Sequence, residues 1–228
     1  MDLRTSLYGK TGSGDWRRPQ CRATRSTGFF HKVVPVPLIL ASSSSTRRAM
    51  LDAAGVAYSA EPSTIDEAAL KIGTSEPRLI AVELARAKAL DVSGRSPDEW
   101  VIGSDSVVSV DGRLFDKPVS RENAGEHLRS FSGRTIELTS AVALARSGTV
   151  DWTHSNTATL KVRALSDGFI GNYLDLEWPR VSHCVGVFRI EGLGVHLFDS
   201  IAGDHFTILG MPLMPLLGAL RARGMAPL

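Results

Sequence analysis

The first stretch able to do chemistry runs Ala41-Ser42-Ser43-Ser44-Ser45-Thr46-Arg47-Arg48. Small hydroxyl residues let backbone amides approach a ligand, and a helix that starts among them aims its dipole at an anion. Arg47 and Arg48 in the first turn would strengthen such a site, although positive charge at a helix N-terminus also suits a plain solvated face. Acid groups follow. Asp66-Glu67 comes after Pro62-Ser63-Thr64, and Asp105 sits in Gly103-Ser104-Asp105-Ser106, at or inside an apolar strand. An unpaired carboxylate is costly there, so Asp105 needs a partner or a metal, unless it caps a turn. Lys88 and Lys117, taken singly, read as ordinary surface lysines. Only in combination with the serine loop and the acids do they become sharper candidates.

Other signals carry less. Gly9-Lys10-Thr11 resembles the end of a phosphate-binding P-loop, but Arg4 stands where that motif needs Gly. Gly192-Leu193-Gly194 lacks the third glycine of a dinucleotide site and reads as a turn. His31, His127, His154, His183, His196 and His205 show no metal-ligand spacing. Cys21 and Cys184 form neither a disulfide framework nor a zinc spacing, which points to a reducing compartment.

The chain must also fold well enough to hold such a site. Its 228 residues make one domain or two small ones and can bury roughly 70% of the unfolded surface. A content of 43% hydrophobic and 22% charged residues excludes disorder throughout. The balance of 26 basic against 24 acidic residues is too even for a whole-chain nucleic-acid binder, so an anionic partner must be met locally. Aromatic residues, 7% of the chain, are scattered and offer no stacking stripe for single strands. No apolar run approaches a membrane span and the N-terminus lacks a signal peptide's apolar core, so a cytoplasmic location is expected.

Residues 1–37 carry seven basic residues against two acidic ones and no apolar period. Residues 1–36 are therefore expected to be a basic, disordered extension, and the folded domain to cover 37–228. A translation start near Val33 or Val34 is a further expectation.

From Pro37 onward, strand and helix patterns alternate. Pro37 to Ala41 reads as a buried strand, Ser42 to Thr46 as a turn, and Arg47 to Ala54 as a helix closed by Gly55. Pro77 to Leu90 reads as a helix with Ile80, Leu84 and Ala87 on one face and Lys88 one position round. Trp100 to Val110 is strand-like and is turned by Asp111-Gly112; Ser120 caps a helix that breaks at Gly133. Thr135 to Ala145 and Thr149 to Val162 flank a second hairpin turn at Ser147-Gly148. Ser166 caps a helix through Leu176, Val195 to Ile201 is a strand, and a final helix runs from Pro212 to Gly224. This order argues for α/β architecture with a mixed sheet.

In their order and spacing, these segments resemble the Maf family of nucleoside triphosphate pyrophosphatases. The matching parts are LILASSSSTRR (38–48), IDE (65–67), ELARAKA (83–89), VIGSDSVVSVDG (101–112), DKP (116–118), FSGR (131–134), EGLG (191–194) and IAGDHFTILGMPL (201–213). The first motif, and Glu191 where other branches carry Gln, are most similar to the branch acting on 7-methyl-GTP. The chain departs from that branch at Thr46, where a Trp is usual, and at Ser106, where a Gln is usual; near Ser45 the family usually has Pro. Without an aromatic at position 46, a cationic base loses an obvious stacking partner.

The resemblance implies a Maf/ITPase-like fold with two lobes around a long central mixed sheet, an active-site cleft between them, and a homodimer. It implies hydrolysis of the α–β phosphate bond of a nucleoside triphosphate. On that basis Ser42, Arg47, Arg48, Lys88 and Lys117 hold the phosphates, and Asp105 is the general base. Glu67, helped by Asp66, positions the metal or the water, so that Glu67 and Asp105 are the metal ligands for Mg²⁺ or Mn²⁺. Thr46, Ser106 and Glu191 set base specificity, Glu191 by accepting from the N1 and N2 donors of guanine. A non-catalytic nucleotide-binding regulator of cell division is the alternative implied by the family. A module binding nucleic acid through the basic extension is a third reading; no stable nucleic-acid partner is expected.

Overall fold

Two long strands buried on both faces set the frame on which everything else is placed. The structure, a computed structural model, describes residues 37–71 and 76–225. The basic segment 1–36, with its P-loop-like stretch and Cys21, lies outside the described residues. In chain order the elements are β1 (Leu38–Leu40), α1 (Ser45–Ala53), β2 (Ser59–Ala60), α2 (Glu67–Leu70), α3 (Pro77–Arg95), β3 (Trp100–Val110), β4 (Arg113–Phe115), α4 (Arg121–Phe131) and β5 (Thr135–Arg146). There follow β6 (Thr149–Val162), α5 (Asp167–Glu177), 3-10 turns at Arg180–His183 and Leu193–Leu197, β7 (Phe198–Ala202), α6 (His205–Ile208) and α7 (Leu213–Ala222).

The sheet has seven strands in the order β2-β1-β3-β5-β6-β7, with β4 beside β3. β1 runs parallel to β2 and β3, and all other pairs are antiparallel. Asp111 and Gly112, then Ser147 and Gly148, all take positive φ, the backbone that matches strand twist in a tight hairpin. β5 pairs with β3 along Val101–Val110. On the opposite edge β1 covers Trp100–Ile102 and β4 covers Val108–Val110. Residues 103–107 are thus left with an open edge, and side chains from both faces of β3 can meet there.

One sheet face is covered by α3, whose Ile80, Leu84, Ala85, Ala89 and Val92 pack with Val101, Val107, Ala141 and Ala143. The other face carries two separate cores. At the β1 end, Ile102, Val142 and Leu144 pack with Met50 and Leu51 of α1 and Leu216 and Leu220 of α7. At the β4 end, Val108, Ile136 and Leu160 pack with Leu128 and Phe131 of α4 and Ile170 and Leu174 of α5. These cores are the two lobes. Between them the sheet turns polar: Ser104, Ser106 and Ser140 all reach the α6 segment, bonding Gly210 O or Thr207 O.

Several boundaries differ from those the sequence predicts. α1 starts at Ser45 because the Ser44 hydroxyl accepts from the Arg47 amide and caps it earlier. α3 continues to Arg95, with Val92 buried and the Ser93 hydroxyl accepting from Gly148 of the β5–β6 turn. β7 begins at Phe198, since Leu193–Leu197 first winds into a 3-10 turn. α2 and α6 have four residues each, too short for periodicity to reveal.

Candidate active site

The serine loop that follows β1 forms one wall of a cleft of about 790 Å³, a size ordinary for small-ligand pockets. Ser42 Oγ accepts from the Ser44 amide at 3.2 Å and from Arg47 Nη1 at 3.2 Å. Arg47 also donates through Nε to Gly210 O at 2.9 Å and through Nη2 to Ser106 Oγ at 3.2 Å. The guanidinium therefore ties α1, the turn after α6 and β3 together, and it has N–H groups to spare. Gly210 takes φ 104, and a Cβ there would meet Ser106 Oγ and the Arg47 guanidinium, so the clamp favours Gly. Burial lowers the Arg47 pKa from the usual arginine value, and the charges of Asp105 and Glu67 act against that.

Arg48 departs from the expected convergence of cations. It lies one position further around α1, exposed, and donates to Ser43 O at 3.4 Å instead of lining the cleft. Successive helical residues point about 100° apart, so one arginine of the pair faces in and the other out. Ser106 lines the cleft, but its hydroxyl is engaged by Arg47, Ser140 and Gly210. It therefore supports the clamp from within the cleft, at a position the sequence reading links to base specificity.

The acids come from the α3 side. Gly103 lets α3 lie directly on β3: a Cβ at that position would stand 2.1 Å from Ala85 O and 2.6 Å from Ala89 N. One step of the strand pleat further, Asp105 faces the same helix, and Lys88 reaches it. Lys88 Nζ lies 2.5 Å from Asp105 Oδ1 and 2.7 Å from Glu67 Oε1. Lys88 is 7% exposed and belongs to the buried stripe of α3, whereas the sequence reading put Ala87 on that face instead. The repeat Ile80, Leu84, Lys88, Val92 at four-residue spacing is the signal that could have found it.

Asp66 caps α2, its Oδ1 accepting from the amides of Ala68 and Ala69, and this leaves Glu67 to turn inward. Burial alone would push the Glu67 carboxyl up. The Lys88 hydrogen bond and the charges of Lys88, Lys117 and Lys71 outweigh it and hold the carboxyl below the usual glutamate range. Lys117, just after β4, also lines the cleft. Carboxylate oxygens suit Mg²⁺ or Mn²⁺, which bind through one or two carboxylates and complete their shell with phosphate oxygens and water. Glu67 and Asp105 fit that pattern. No group of three or more His, Cys, Asp or Glu able to hold a metal occurs among the described residues.

The opposite wall, around the Arg180–His183 turn, contains groups that sequence reasoning passed over. Arg180, His183, Cys184 and Arg189 all line the cleft. Arg189 is anchored by Glu177, 3.4 Å away and 3% exposed, and lies 3.6 Å from Glu191. Burial, reinforced by Glu191, pushes the Cys184 thiol up to about 11 against the opposing charges of Arg189 and Lys117, so it is protonated at neutral pH. Glu191 and Thr46 stand where the cleft meets a second, apolar groove walled by Met50, Phe206 and Leu213.

A cleft lined by Arg47, Lys88 and Lys117, with a lysine-bridged acid pair beside the open sheet edge, has the charge chemistry suited to phosphate chains. Residues 37–223 match the family described as Maf-like protein. The chain is 47% identical over 196 residues to a nucleoside triphosphate pyrophosphatase of Nitrobacter hamburgensis, covering 85% of this chain and 97% of that one. It is 46% identical over 191 residues to a 7-methyl-GTP pyrophosphatase of Rhizobium etli, covering 82% and 96%. A solved HAM1 protein from Coxiella burnetii aligns over 56% of this chain and 73% of its own at 14% identity and a TM-score of 0.40. The protein belongs to the Maf family.

Proposed function

We propose that this protein is a nucleoside triphosphate pyrophosphatase, a hydrolase that converts a triphosphate and water into the monophosphate and pyrophosphate. The relatives named for that activity support the reading. The observation that carries it is the gathering of Asp105, Glu67, Lys88, Lys117 and Arg47 in one cleft.

On this reading the triphosphate lies along the serine loop. Arg47 offers its unused N–H groups as a fork, and Lys88 and Lys117 act as point charges. Before substrate binds, Lys88 holds Oδ1 of Asp105, and Oδ2 accepts no hydrogen bond among the described residues; with the ammonium turned to the phosphates, Oδ2 takes the proton from a water attacking the α-phosphorus. The new P–O bond forms as the bond to the bridging oxygen breaks, and that electron pair leaves with pyrophosphate. Glu67 and Asp105 are the residues that would hold a divalent ion, which would supply charge neutralisation for the phosphate oxygens. Thr46 and Glu191 meet the base, whose face lies against the apolar groove. A carboxylate at 191 favours a guanine edge, and more so a 7-methylated, cationic one.

The test is pyrophosphate release from a panel of triphosphates, 7-methyl-GTP included, with Mg²⁺ or Mn²⁺, by wild type and Asp105→Asn. Turnover by wild type and a loss of about 10²-fold or more in a folded Asp105→Asn is expected. Nucleotide binding without turnover would instead favour the regulator.

A further inference from the structure

Lys88 stands where an inorganic cation would be drawn. Its ammonium touches one oxygen of Asp105 at 2.5 Å and one of Glu67 at 2.7 Å. Two carboxylate oxygens that close to a single nitrogen are also placed to ligate a single divalent ion, so the ammonium and the ion compete for one position. Neutralised by Lys88, the pair exerts little pull on a free ion, and no third His, Cys, Asp or Glu joins it among the described residues. Lys88 also lines the cleft, and its flexible stem with a rotatable ammonium can turn from carboxylate to phosphate.

We infer that Lys88 is a displaceable counter-ion, holding the metal position until a phosphate chain draws it away, so that the divalent ion enters together with the nucleotide and not before it. The inference rests on the pyrophosphatase reading for the identity of the anion. Binding of metal and of the phosphate chain is then coupled, and each must raise the other's affinity by the same factor. A lysine that braced the fold without turning to the anion would leave the Mn²⁺ affinity of the wild type independent of the anion.

The experiment titrates Mn²⁺ into the full chain and follows free Mn²⁺ by electron paramagnetic resonance. It is done alone, with α,β-methylene-GTP, and with inorganic tripolyphosphate. In wild type, with the Mn²⁺ held by each anion in a protein-free titration subtracted, either anion should tighten Mn²⁺ binding about tenfold. Lys88→Met should tighten Mn²⁺ binding about tenfold with no anion present, with Lys88→Gln as a second variant and circular dichroism confirming that each is folded. A gain below threefold in both folded variants, or anion-independent Mn²⁺ binding by wild type, overturns the inference. The wild-type arm stands even if neither variant folds. Tripolyphosphate keeps the readout separate from substrate choice: a protein that hydrolyses no triphosphate but shows the coupling refutes the functional reading alone.

Discussion

Gly103→Ala adds one methyl group where β3 and α3 touch through their backbones. The new Cβ would lie 2.1 Å from Ala85 O, 2.6 Å from Ala89 N and 2.9 Å from Ala89 Cβ, against the 3.4 Å at which ordinary contact begins. Relief requires α3 to lift by roughly 1 Å, and no rotamer change can supply it because the obstacles are main-chain atoms. Lifting the helix loosens the stripe from Ile80 to Val92, so a destabilisation of about 3 kcal/mol is expected, the upper end for overpacking. It also carries Lys88 away from Asp105 and Glu67. A misplacement of about 1 Å in such a constellation costs on the order of 10²-fold in rate. The control is Gly94→Ala on the same helix: an added Cβ there meets nothing within 4 Å, and the change should stabilise by about 1 kcal/mol. Urea midpoints and initial rates of pyrophosphate release measure both effects. A Gly103→Ala protein with a wild-type midpoint and turnover within twofold would refute the argument that close backbone approach assembles the site.

The two arginines of α1 should separate cleanly. Arg47→Met strands acceptors at Ser42, Ser106 and Gly210, and should cost about 1–3 kcal/mol in denaturation and sharply raise KM. Arg48→Met should stay within about 0.5 kcal/mol of wild type with KM little changed. Glu191→Gln should lower kcat/KM for 7-methyl-GTP more than for UTP, and an unchanged ranking across the panel would remove Glu191 from base reading. Cys184, raised to about 11, should react with iodoacetamide at pH 8 far more slowly than glutathione, as read by peptide mass spectrometry. The sign for stability follows. Folding favours the protonated thiol, so its contribution is complete below the unfolded thiol value of 9.0 and fades as pH rises from there through about 11.

Much of the architecture was legible in the sequence because its signals are local. Gly next to Asp or Ser turned both hairpins, Ser120 and Ser166 capped their helices, and the valine-rich run at 100–110 could be little other than a buried strand. Asp105 stood out because a carboxylate inside such a run needs a reason, and Lys88 on its own gave no such warning. What stayed hidden was set by side-chain direction and by distant partners. One helical step separates Arg47, turned into the cleft, from Arg48, turned to solvent, and the anchor for that choice is Gly210, 163 positions away. The wall of Arg180, Cys184 and Arg189 sits in irregular turns with no periodicity to read.

The sequence by itself determined the alternating elements, their caps and turns, and the family likeness, since each depends on neighbours within a few residues. Tertiary structure decided which charges meet. The edge of β3 left open between β1 and β4, and the bare backbone of Gly103 beneath α3, exist only once strands pair and a helix docks. Those two packing facts are what bring a lysine, an aspartate and a glutamate from three segments into contact.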